Sequence, residues 1–163
     1  MEVIMNYDEK MNMNNVEFGN MPPQAFLLGL LSAFDNRYQA AADAFFKEIT
    51  WKQFFAVICI NLCKEPPTIN ELSDVMGSSH QNVKQILLKL EKKGFIAFFT
   101  DDKDKRKQRI LVTDRCRDFL EENDNNGKHS QYIIGRIFDG VSERNLNSTI
   151  KTIMRMERNL SEL

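Results

Sequence analysis

Two short stretches hold side chains whose types and spacing suit the recognition of another molecule. In "SSHQNVKQILLKLEKKG", residues 78–94, Gln81, Asn82, Lys84, Gln85 and Lys89 fall between the apolar positions Val83, Ile86, Leu87 and Leu90. On a helix this spacing turns the apolar four to one side and the amides and amines to the other. A carboxamide donates and accepts at once, so Gln and Asn can read the N6/N7 edge of an adenine with two bonds. The lysines suit phosphates, which fix position without reporting sequence. Ser78, Ser79 and His80 stand at the start of the same segment, where backbone N–H groups favour an anion.

In "FTDDKDKRKQRILVT", residues 99–113, Lys103, Lys105 and Lys107 offer further phosphate contacts. Arg106 adds a thin, permanently charged guanidinium that suits a narrow A·T minor groove. Asp104, two residues earlier, is placed to hold that side chain by a charge-assisted bond. Asp101 and Asp102 read as turn formers. The alternative for both stretches is a solvated polar surface with no partner.

The chain has 163 residues and a formal net charge of −1, an average that conceals a polarised distribution. From Lys84 to Arg109 there are nine Lys/Arg against four Asp/Glu, a local excess of +5 that leaves −6 on the rest. A basic segment on an acidic body fits a localised phosphate-binding surface. No Ser/His/Asp set, paired-carboxylate spacing, phosphate loop or HExxH motif occurs, so an enzyme has little support. Two distant histidines and three cysteines without CxxC spacing supply neither a zinc site nor a disulfide framework. No metal and no cofactor is expected.

Cys59 and Cys63 lie among Ile58, Ile60 and Leu62, a setting for small buried hydrophobes more than for reactive thiolates. Cys116, between Arg115 and Arg117, has the better electrostatic setting for oxidant sensing, without a cysteine nearby in sequence. The first twenty residues are polar and Asn-rich and lack the basic start and apolar block of a signal peptide. No run of 18 apolar residues occurs. A cytoplasmic location is expected.

The elements that position the two stretches follow from periodicity and caps. Pro22-Pro23 opens a long amphipathic helix with Leu27, Leu30, Leu31, Phe34, Tyr38, Ala41, Ala42 and Phe45 on one face. Thr50 with Gln53 forms a capping box before a helix that is apolar nearly all round and is stopped by Pro66-Pro67. Thr68 with Glu71 forms a second box, opening a short helix closed by Gly77. Ser78 with Gln81 reads as a third, opening the helix that Gly94 ends. Two helices joined at Gly77-Ser78 make a helix-turn-helix. After Gly94 the period changes: "FIAFFT" and "QRILVT" are short β runs around a charged loop, the wing of a winged helix. Thr113 caps a further helix whose later part, "NDNNG", is expected either to kink or to be held as helix by packing against its partner, Gly127 alone costing about 1 kcal/mol relative to Ala. Apolar periodicity resumes at Tyr132, Ile133, Ile137 and Phe138, and Ser142 starts a last helix with Leu146, Ile150, Ile153 and Leu160.

From Pro22 onward the chain resembles the MarR family of bacterial winged-helix transcription regulators. The most specific part is "LEKKGFIAFFTDDKDKRKQRILVT", residues 90–113, with a Leu-Glu-x-x-Gly-hydrophobic-Ile turn, a wing of pattern Asp-x-x-Asp-x-Arg at Asp101, Asp104 and Arg106, and a strand ending in Thr113. The resemblance implies a triangular homodimer held by intertwined terminal helices, bound to a pseudo-palindromic operator. It places recognition helices in successive major grooves and wings in the flanking minor grooves. It further implies repression, relieved by a small apolar or aromatic ligand bound between the dimer region and the DNA-binding lobe. Two departures stand out: Ala97-Phe98-Phe99 replaces a usual basic position after the turn, and Cys116 replaces a usual glycine.

The expected fold is therefore mainly α with a small β-hairpin, a winged helix-turn-helix with N- and C-terminal dimerisation helices. Residues 1–20 are expected as a flexible tail, 21–48 as a dimerisation helix, 49–113 as the winged-helix DNA-binding domain and 114–163 as helices completing the dimerisation region. The expected DNA-binding set is Ser78, Ser79, His80, Gln81, Asn82, Lys84, Gln85, Lys89, Lys103, Asp104, Lys105, Arg106 and Lys107. The partner is double-stranded DNA, with no membrane involved. A winged-helix protein–protein adaptor that no longer binds DNA is the alternative, favoured by the Phe98/Phe99 run.

Overall fold

The computed structural model of the chain describes residues 21–44, 48–124 and 128–163. Its elements, in order, are α1 (Pro23–Asp43), α2 (Trp51–Leu62), α3 (Ile69–Met76), α4 (His80–Lys92), β1 (Ile96–Thr100), β2 (Gln108–Val112), α5 (Asp114–Asp124), α6 (Lys128–Ile137) and α7 (Glu143–Leu160). The class is the expected one: mainly helical, with one antiparallel hairpin after a helix-turn-helix. The expected tail, residues 1–20, lies outside the described residues, and so do Phe45 of the expected first helix face and the centre of the expected kink, residues 125–127. Among the described residues no helix is long and apolar enough to cross a membrane.

Caps set most of the helix starts. Thr50 and Thr68 each accept a hydrogen bond from the backbone N–H three residues on, while Gln53 and Glu71 reach back to the cap N–H, so both predicted boxes are present. Ser142 caps α7 through the Asn145 N–H at 3.2 Å. The third predicted box is corrected: Ser79, not Ser78, caps α4, accepting from the Asn82 N–H at 3.3 Å. The reason lies in how α3 ends. Gly77 is left-handed (φ +59), and its N–H reaches the Asp74 carbonyl at 3.2 Å while the Ser78 N–H reaches the Ser73 carbonyl at 3.1 Å. That paired closure of α3 consumes Ser78, so the next helix starts one residue later.

The core sits between α2, α3, α4 and the hairpin. Ala56, Val57, Leu72, Val83, Leu87, Leu90, Phe95, Ile96, Ile110 and Val112 are all buried there, and all four predicted inward positions of α4 are among the buried residues. α4 ends as α3 does. Gly94 is left-handed (φ +73), the Gly94 N–H donates to the Glu91 carbonyl (2.8 Å), and the Phe95 N–H to Leu90 (3.0 Å). Phe95 and Leu90 meet in the core, the apolar contact that usually accompanies this closure. α1 joins this module through aromatic side chains: the Tyr38 ring meets Trp51 edge-on at 4.7 Å, and Trp51 stacks on Phe55 at 6.0 Å. Beyond that junction α1, α6 and α7 leave apolar side chains exposed, Leu28, Phe34, Tyr132, Ile134, Ile137 and Met154 among them.

Cys116 belongs to the same core. It is fully buried, and burial pushes its thiol up more than nearby Arg117 pulls it down. Arg115 lies over the Phe95 ring and Arg117 pairs with Asp114, so the flanking arginines do not make the exposed electropositive setting that the sequence suggested. Burial raises the Cys59 thiol as well.

Candidate nucleic-acid interface

The outward face of α4 carries His80, Gln81, Asn82, Lys84, Gln85 and Lys89, all exposed, with Ser79 exposed before them and Ser78 partly covered. Burial of Val83, Ile86, Leu87 and Leu90 forces this arrangement, because at 100° per residue the intervening positions must face out. Leu88, 43% exposed, shares the open side of the helix, which the reading of the polar positions alone passed over. Asn82 is already engaged: its Nδ2 donates to Ser78 Oγ at 2.8 Å. Its amide thus braces the turn before α4. Among the described residues Lys84, Lys89 and Lys103 form no ion pair.

The wing is built from β1, β2 and the loop between them. Their register pairs Ile96 with Val112, Phe98 with Ile110, and Thr100 with Gln108. Thr113 seals the base: its N–H donates to the Phe95 carbonyl (3.1 Å), and its Oγ1 donates to the Gly94 carbonyl (2.7 Å). Asp101 does more than form a turn. Its Oδ1 accepts from the Lys103 and Asp104 N–H groups at 2.7 and 3.0 Å, and its Oδ2 accepts from Arg109 Nε. These donors, Arg109 foremost, lower its pKa to about 2. Asp104 Oδ1 accepts from the Arg106 N–H and Nε, so the predicted support contact is present. Asp102 is exposed and pairs with Lys105 at 3.6 Å, a loose surface contact worth little.

The starts of α3 and α4 and the wing enclose one open cleft of ≈ 670 Å³, lined by Thr68, Glu71, His80, Lys105, Arg106 and Lys107 among others. The expected set is thus brought together at two places: Gln81, Asn82, Lys84, Gln85 and Lys89 along α4, and Lys103 to Lys107 on the wing, with His80 between them. Arg109, whose guanidinium also donates to the Pro66 carbonyl at 2.7 Å, is a participant that sequence reasoning missed. A signal was available: it stands two residues after the loop, facing an Asp that opens the loop.

These elements define a winged helix-turn-helix flanked by long helices. Residues 49–107 match the model of the MarR family. Among solved structures the chain is similar to a MarR/EmrR family transcriptional regulator from Acinetobacter sp. ADP1, with TM-score 0.75 and 12% identity over 91% of this chain and 100% of that one. It is similar to BpsR of Bordetella bronchiseptica, in a study of regulation of its DNA binding by 6-hydroxynicotinic acid, with TM-score 0.70 and 16% identity over 85% and 98%. It is also similar to MepR of S. aureus in complex with DNA, with TM-score 0.68 and 18% identity over 80% and 95%. At these identities the likeness establishes the fold.

Proposed function

We propose that the chain is a cytoplasmic transcription regulator, a repressor, that binds double-stranded DNA sequence-specifically as a homodimer. The observation that carries this reading is the cleft where His80, at the head of α4, faces Lys105, Arg106 and Lys107 of the wing. A helix whose open face bears amides and amines enters a major groove, and a basic hairpin beside it reaches the adjacent minor groove. Gln81 and Gln85 read base edges, Lys84, Lys89, Lys103, Lys105 and Lys107 meet phosphates, and Ser78, Ser79 and Asn82 brace the helix start. Arg106, held by Asp104, enters the minor groove.

The large apolar side chains left exposed on α1, α6 and α7 support the dimer, since a second copy would take them out of water. A cavity of ≈ 350 Å³ lined by Tyr38, Trp51 and Phe55, and reaching Gly77, Ser78 and Asn82, suits a small aromatic ligand that loosens DNA binding. Fluorescence anisotropy with the DNA upstream of the chain's own gene, repeated across salt, tests the main reading. Affinity falling linearly with log salt is expected from phosphate contacts. No binding even at low salt overturns it in favour of a protein adaptor. That second reading has one observation on its side: Phe99 and Leu111 are both exposed on the hairpin.

A further inference from the structure

Resting on the DNA-binding reading, we propose that Arg109 is the positioning residue of the wing. By tying Asp101 at the wing's root to the Pro66–Pro67 corner, it sets the angle at which Arg106 meets DNA.

The hairpin needs such a tie. Its base is held by Ile96, Ile110 and Val112 in the core, but from Thr100 to Arg109 the only buried residue is Asp101. A two-stranded hairpin without an apolar anchor is marginal in water, so the direction of the tip must be fixed by polar contacts. Arg109 supplies them to three places at once. Its Nε donates to Asp101 Oδ2, its Nη1 donates to the Pro66 carbonyl at 2.7 Å, and the same Nη1 lies 3.7 Å from Glu71 Oε2 in the first turn of α3.

The acceptor side is equally specific. Pro66 and Pro67 have no N–H, and their rings fix φ, so the corner presents carbonyl oxygens in a set geometry. Both are filled from β2: Pro66 by the Arg109 guanidinium, and Pro67 by the Ile110 N–H at 2.9 Å. From there a continuous set of bonds reaches the tip. Asp101 Oδ1 holds the Asp104 N–H, and Asp104 Oδ1 holds Arg106. A planar guanidinium can bridge a carboxylate and a carbonyl at fixed angles, which an ammonium cannot do. The Arg109 side chain is also only 19% exposed, unlike that of Arg106 at 92%. It therefore acts through the wing and not on phosphate.

The test uses the full-length protein and its Arg109→Gln and Arg109→Lys variants, with hydroxyl-radical footprinting on the upstream DNA fragment. The wild type is expected to protect half-site cores and their flanks. Arg109→Gln is expected to keep the core protection, lose the flank protection and weaken binding by about tenfold, the scale of one lost base-pair preference. Its salt slope is expected to fall by more than the roughly one unit that a single lost phosphate contact gives, because Lys103, Lys105 and Lys107 leave their phosphates together with the wing. Arg109→Lys, which can reach one acceptor, is expected to recover part of the flank protection. In the free protein, amide exchange at Lys103 and Asp104 is expected to quicken in Arg109→Gln. Retained flank protection in Arg109→Gln, with a folded protein by circular dichroism, overturns the proposal, and a slope reduced by about one with that protection intact gives Arg109 a direct phosphate contact instead. Absence of any wild-type footprint overturns the DNA-binding reading and this proposal with it.

Discussion

Asp104 holds Arg106 through a single oxygen: Oδ1 accepts the backbone N–H at 3.1 Å and the side-chain Nε at 3.2 Å. The Arg106 side chain is nonetheless 92% exposed. An exposed pair of this kind contributes little to stability, so on the proposed reading it serves to aim the arginine. Arg106→Ala is expected to cost about 1–3 kcal/mol of DNA affinity and Asp104→Ala less, because the cation survives and only its direction is lost. Melting temperatures of both variants are expected to stay near wild type. Anisotropy titrations decide the order; a larger loss for Asp104→Ala than for Arg106→Ala would refute the supporting role.

Gly77 bears on stability through backbone conformation alone. Its φ is +59 and a Cβ there would meet nothing within 4 Å, so a substitution costs left-handed strain without a clash. Gly77→Ala is expected to destabilise the protein by about 1–2 kcal/mol, with Gly77→Asn milder because Asn tolerates this region. Urea denaturation measures both, and equal stability of Gly77→Ala and wild type would show that the turn relaxes.

Asp101 makes stability depend on acid. Its carboxyl is held at about 2 in the folded chain by the Arg109 guanidinium and two backbone N–H groups, below the ordinary unfolded value of about 3.9. A depressed carboxyl stabilises the fold above its unfolded pKa, and the contribution fades as pH falls toward the folded one. Asp101→Asn is therefore expected to be less stable than wild type at neutral pH, with the gap closing between about pH 4 and pH 2. A gap independent of pH, in denaturant titrations across that window, would remove Asp101 as its source.

The three cysteines differ in access. Cys59 and Cys116 are buried, and burial raises both thiols, whereas Cys63 at the end of α2 is half-buried. A thiol reagent is expected to modify Cys63 first and the other two only after unfolding. Rapid native labelling of Cys116, located by mass spectrometry, would contradict its place in the core.

Elements governed by local rules were legible in the sequence. The capping boxes at Thr50 and Thr68, the closures at Gly77 and Gly94, and the inward set Val83, Ile86, Leu87 and Leu90 all depend on residues a few positions apart. The mistakes arose where one residue served two elements or where partners were distant. Ser78 looked like a cap because Gln81 stands three residues on, but the end of α3 claims its N–H. Arg109 looked like one more cation of a basic segment, since its carbonyl partner, Pro66, lies 43 residues earlier. Cys116 looked electropositive because its neighbours in sequence are arginines, yet on a helix adjacent residues point in different directions.

The buried core spans residues 49–116, and α1 adds only Ala42 to the buried set while α7 adds none. Two kinds of order therefore coexist in one chain. The central module is fixed by the chain's own contacts and should melt at a temperature independent of protein concentration. With a second copy covering the outer helices, as proposed, their melting should rise by mass action as the solution becomes more concentrated.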